Sequence, residues 1–179
     1  MSTDARSTPV RAVARPSRRR ACRHAFGAAL LFGGAGGFAV PAQAVEPVST
    51  SRFGSVAIGG HDPSAYHALA RSPRAEAVQG GKTHTVTWRG ASWRFADADS
   101  AARFEADPAR YAPAYNGHCA NALSLGEGLA RTDGTHWQIF EGDDRLYLFY
   151  ADRGRKRWLQ GDREAYRVEA DAAWARLSR

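Results

Sequence analysis

The chain has 179 residues, with 25 lysines and arginines against 18 aspartates and glutamates, for a formal net charge of +7. Seven of those basic residues and one acid, Asp4, lie in residues 1–44, which leaves 18 against 17 for the rest of the chain. That near balance excludes a nucleic-acid-binding fold, which would keep its basic footprint in the folded part.

Arg6, Arg11, Arg15, Arg18, Arg19, Arg20 and Arg23 precede an uncharged apolar stretch from Ala25 to Val40, which ends in Pro41 and Ala42-Gln43-Ala44. A basic start, a short apolar run and small residues at the peptidase positions predict a signal peptide over residues 1–44. The apolar run is shorter than the roughly 20 residues that span a bilayer, so no stable membrane anchor is expected after cleavage. The mature chain is then exported, periplasmic or secreted. Its route is Sec or the twin-arginine pathway, whose signal Ser17-Arg18-Arg19-Arg20-Ala21-Cys22-Arg23 approximates. Cys22 leaves with the signal, so Cys119 is the single thiol of the mature chain. A lone thiol in an oxidising compartment calls for another chain, a metal, redox chemistry or burial.

Residues 45–55 read as a flexible lead-in and residues 56–179 as one domain. Asp62 and Pro63 open a helix through Leu69, Asp as its cap and Pro at its first position. Arg71 to Lys82, polar and broken by Pro73, Gly80 and Gly81, is a loop. Thr83 to Trp88 and Ser92 to Phe95 form a hairpin across Arg89-Gly90. Asp97 or Asp99 caps a helix that stops near Asp107-Pro108, with one further turn over Ala109 to Tyr111. Tyr115-Asn116-Gly117 is a tight turn, His118 to Leu123 begins a short helix, and Leu125 to Gly134 is a loop. His136 to Phe140 pairs with Leu146 to Tyr150 across Glu141 to Asp144. Tyr166, Ala170, Ala173, Trp174 and Leu177 have the spacing of a C-terminal helix. The expected fold class is α+β: two antiparallel β-hairpins forming a small sheet, packed with several short helices and that C-terminal helix. The basic cluster Arg153, Arg155, Lys156 and Arg157 reads as a solvated helix face.

Several phrases carry a resemblance. They are Gly60-His61-Asp62-Pro63-Ser64-Ala65-Tyr66, Trp88-Arg89-Gly90-Ala91-Ser92-Trp93-Arg94-Phe95, Arg103-Phe104 through Ala112-Pro113, Tyr115-Asn116-Gly117-His118-Cys119-Ala120, Arg145 through Tyr150, and Lys156-Arg157-Trp158. In order and spacing they resemble the exported bacterial YHS-domain proteins, a subgroup with relatives described as selenoproteins, from about Val56 to Leu177. The resemblance implies a YHS-like domain over residues 56–179. In the metal-binding modules of the wider superfamily three cysteines stand where this chain has Ala65, Ala96 and Ser100, so their thiolate site is missing here. The selenoprotein relatives direct attention to the position of Cys119.

Three chemistries follow. Cys119, with His118 and with His61 or His67 from the Asp-Pro helix, supplies donors for a soft or borderline ion such as copper or zinc. Cys119 in the first turn of a helix would be favoured as a thiolate, further so beside a protonated His118, which suits thiol redox chemistry with an external thiol. Consecutive helix residues point about 100° apart, however, so the pair need not touch. Buried, Cys119 is a small hydrophobe in a non-catalytic structural or accessory binding module, whose partner is a metal ion or an exported protein. Trp88, Trp93, Trp137, Trp158 and Trp174 read as core, Asp97, Asp99, Asp143 and Asp144 as caps and turns, His84 and His136 as strand residues, and Tyr115 as packing. No phosphate loop, serine triad or paired-cysteine motif is present, and no residue is assigned a catalytic or cofactor-binding role.

Overall fold

Asp62 is fully buried, and its carboxylate ties the start of a helix to the end of a strand. Oδ1 accepts from the Ser64 and Ala65 N–H groups at 2.8 and 3.2 Å, the bonds of a helix cap, and Oδ2 accepts from Ala96 N–H at 3.0 Å. The computed structural model describes residues 46–70 and 76–179. The expected signal peptide and residues 71–75 of the expected loop lie outside the described residues.

The capped helix is α1, Ala65–Leu69. Strands β1, Gly81–Trp88, and β2, Ala91–Phe95, form an antiparallel hairpin with Val86 opposite Trp93 and Trp88 opposite Ala91. Arg89 and Gly90 turn it with φ of +49° and +72°, the doubly left-handed turn that matches strand twist. Asp97 caps α2, Ala98–Ala106, through Ser100 N–H at 2.7 Å. Asp107 caps α3, Pro108–Tyr111, with proline at its first position. Next come α4, Ala120–Ser124, and a second hairpin of β3, His136–Ile139, and β4, Leu146–Phe149. The hairpins are two separate two-stranded sheets, and with the helices they make an α+β fold.

Two cores are divided by β4. All four of its residues are buried, and successive side chains of a strand point to opposite faces. Leu146 and Leu148 join Ile58, Tyr66, Trp93, Phe95 and Phe104 in one core. There the Phe104 ring packs 5.2–5.8 Å from those of Phe95, Trp93 and Trp88. Tyr147 and Phe149 face the other, centred on Trp158. Burying a side chain of this size contributes about 1.5–3 kcal/mol.

The C-terminal region is two helices, α5, Asp152–Gln160, and α6, Arg163–Leu177. Asp162 caps the second through Ala165 N–H at 3.0 Å. Arg155 and Lys156 pair with Asp152 one turn back. Arg157 departs from the solvated face expected of this cluster: its guanidinium lies 3.6 Å from the Tyr166 ring centre and donates to Asn121 and Ser124 at 3.0 Å.

Within the segment that the sequence places in a lead-in, Ser49 and Thr50 pair with the domain. Ser49 is fully buried, its N–H donates to Asn116 O at 2.9 Å, and its carbonyl accepts from Ile58 N–H at 2.9 Å. Among the described residues no helix is long and apolar enough to cross a membrane.

Candidate functional site

Tyr115, Asn116 and Gly117 run consecutively through the left-handed region, with φ of +57°, +48° and +85°. Only glycine enters it freely; each non-glycine residue there costs on the order of 1–2 kcal/mol, so the surroundings must hold this turn. Tyr115 O accepts from His118 N–H at 3.0 Å, Asn116 O from Ser49 N–H at 2.9 Å, and Gly117 O from Thr132 Oγ1 at 2.7 Å. Position 117 requires glycine twice over, since a Cβ there would also stand 2.5 Å from Ile58 Cγ2.

The turn delivers Cys119 to the N-cap of α4, where its side chain is 3 % exposed. Its Sγ accepts from Ala122 N–H at 3.5 Å, the place an N-cap oxygen usually fills, and from Tyr150 N–H at 3.3 Å. The backbone of Cys119 donates to Ala130 O at 2.9 Å and bridges in parallel to Leu148 of β4. One sulfur therefore closes the start of a helix and the end of a strand.

The four residues expected as metal donors are placed apart in role. His118 is 5 % exposed, with its ring centre 5.9 Å from that of Trp174. Its Nδ1 donates to Tyr115 O at 3.0 Å, which fixes the proton on that nitrogen, since a carbonyl only accepts. Burial lowers its pKa below the usual 6.5; the Arg131 charge acts the same way, and the bond to Tyr115 opposes. His118 is thus neutral near pH 7, and the imidazolium expected to stabilise a Cys119 thiolate is missing there. His61 holds Asp133 O through Nδ1 at 2.7 Å. His67 stands edge-on to Tyr111 at 5.5 Å, and its Nε2 is buried without a hydrogen-bond partner among the described residues. Burial and then the Arg110 charge lower the pKa of His67, against a raising influence of Asp144. Among the described residues no group of three or more His, Cys, Asp or Glu side chains is gathered as a metal would need, so the copper or zinc expectation rests on the sequence.

Ala65, Ala96 and Ser100 are brought together in space. Asp62 accepts from the N–H groups of the first two, and the third is joined through Ser64, whose hydroxyl donates to Ser100 O at 2.9 Å. A carboxylate and backbone groups organise this corner without thiolates.

The sequence reading missed a cleft of about 560 Å³ lined by Trp88, Arg89, Arg110, Asn116, Asp144 and Arg145, among others. Arg89 donates to Asn116 Oδ1 at 2.9 Å, pairs with Glu46, and lies 4.5 Å over the Trp88 ring. Arg145 donates to Tyr147 Oη at 2.9 Å and pairs with Asp171 at 3.3 Å. Tyr115 Oη also donates to Asp171, at 2.8 Å. Burial and then the Asp171 charge raise the Tyr115 pKa, so its phenol stays protonated. The three arginines come from a hairpin turn, a short helix and a strand entry, and no linear spacing signals their meeting.

Comparison of the chain with protein-family models, with curated proteins and with solved structures gives no match.

Proposed function

We propose that the chain is an exported, YHS-like α+β binding module of non-catalytic character, in which Cys119 is a structural cap. The observation that carries this reading is the buried Cys119 sulfur engaged by two backbone N–H groups, Ala122 and Tyr150. A sulfur so placed contributes as a buried acceptor, because the buried Ala122 N–H it satisfies would otherwise be a costly unpaired donor. A nucleophilic thiol needs an approach for its reaction partner and an electropositive setting; burial works against the first and the neutral His118 against the second. The export half of the reading is supported by the residue pattern over 1–44.

The test compares the purified wild-type protein with Cys119→Ala for bound copper and zinc and for peroxide consumption. The two proteins are expected to match in both and to differ in stability alone. Metal content or peroxide turnover that disappears with the sulfur would contradict the structural role and favour the metal or redox chemistry.

A further inference from the structure

From the convergence of Arg89, Arg110 and Arg145 on one cleft, we infer a binding site for a small organic carboxylate. This deepens the binding-module reading, on which it rests, by giving the module a ligand class. The cleft volume of about 560 Å³ lies within the range of roughly 300–1,000 Å³ typical of small-molecule sites.

Two of the arginines are fixed through some of their nitrogens and leave others free: Arg89 keeps its Nε–Nη2 edge, Arg145 only Nη1. Arg89 uses Nη1 for Asn116 and Glu46, while Arg145 uses Nε and Nη2 for Tyr147 and Asp171. Among the described residues Arg89 Nη2 and Arg145 Nη1 have no partner, and neither does any side-chain nitrogen of Arg110. The strained turn makes these placements: Asn116 holds Arg89, and Tyr115, through the shared Asp171, holds Arg145. Backbone strain that orients two side chains toward one cleft is a device of pre-organised sites, which lowers the ordering cost of binding.

The unused N–H donors select the ligand. A guanidinium edge matches a carboxylate through paired parallel hydrogen bonds. Asp107 and Asp144 share the cleft, and Asp107 is occupied in capping Arg110 N–H at 3.1 Å. Those two carboxylates disfavour a doubly charged phosphate more than a singly charged carboxylate group. Trp88, Ala109, Ala112 and Pro113 supply apolar lining for the rest of an organic molecule.

Calorimetric titration of the purified protein with benzoate and butyrate, with benzamide as neutral control and inorganic phosphate as competing anion, tests the site. Saturable binding of at least one carboxylate is expected, with benzamide and phosphate weaker by about tenfold or more. Arg110→Gln, at a guanidinium that makes no hydrogen bond or ion pair among the described residues and lies 5.7 Å from the Tyr111 ring centre, is expected to keep the melting temperature and weaken the carboxylate by about tenfold. Arg89→Gln gives a second, independent loss. No saturation by either carboxylate, equal binding of benzamide, preference for phosphate, or unchanged affinity in Arg110→Gln would each overturn the inference. Cys119 accessibility measured on the same sample reports separately on the binding-module reading, so a failed titration with a protected thiol removes the cleft ligand alone.

Discussion

The Tyr150 N–H donates to Cys119 Sγ at 3.3 Å, across 31 positions of sequence. That bond, together with the one from Ala122, makes position 119 sensitive to the loss of an acceptor rather than to the loss of a nucleophile. Cys119→Ala removes the acceptor of both donors and should destabilise the fold by about 1–3 kcal/mol, summing a lost cap and the smaller cost of the part-buried Tyr150 N–H. Cys119→Ser keeps an acceptor oxygen and should lose less than half as much. Urea denaturation of the two variants gives the ordering; equal losses would mean that the sulfur serves by volume alone.

Asp62 carries three backbone bonds in a fully buried site. Asp62→Ala leaves the Ser64 and Ala96 donors unpaired, while Ala65 N–H keeps its 3.3 Å bond to the Asp62 carbonyl, and a loss of about 2–4 kcal/mol follows. Asp62→Asn retains one acceptor oxygen and should fall between the alanine variant and the wild type. Chemical denaturation midpoints check the order.

Gly117 lies at φ +85° beside Ile58. Gly117→Ala adds conformational strain to a 2.5 Å clash, for a loss of about 2–4 kcal/mol. Gly90 has a similar φ of +72° with open space around it, so Gly90→Ala should cost only about 1 kcal/mol. The difference between the two variants isolates the contact from the backbone effect.

His118 and His67 give the fold a pH dependence of defined sign. Burial lowers both pKa values in the folded state, while the unfolded imidazoles titrate near their usual 6.5. Below that value the unfolded chain binds more protons, so stability falls as pH drops from about 7 and levels off beneath the folded pKa values. Urea midpoints between about pH 7.5 and 5.5 should therefore decline in the wild type and decline less steeply in His118→Gln. An unchanged slope in that variant would assign the dependence to other groups.

What the sequence discloses about this fold is its local grammar. Arg89-Gly90 between alternating strands, an aspartate cap at 97 or 99, a helix stop at Asp107-Pro108 and a tight turn at Tyr115-Asn116-Gly117 all act within a few residues and stand where the pattern puts them. The structure adds that Asp97 is the cap, that Asp107 caps the next helix and that the turn is left-handed. Relationships across long separations were not legible. The second donor to Cys119 comes from the end of β4, so its spacing says nothing of how the sulfur is engaged. Ser49 looks like lead-in because its partners, Asn116 and Thr132, are 67 and 83 positions away. The break between α5 and α6 is carried by Gly161-Asp162, whose capping role is visible only once Arg163 is known to start a new helix. Arg157 looks solvated in a basic run, and its cation–π contact with Tyr166 depends on that same break.

The structural role of Cys119 requires a protected sulfur, and native-state alkylation reads that protection directly. Iodoacetamide should modify Cys119 of the folded protein far more slowly than that of the urea-unfolded chain, with a labelling rate that tracks the unfolding equilibrium as denaturant is added. Rapid labelling of the folded protein at the rate of the unfolded chain would contradict the structural role given to Cys119.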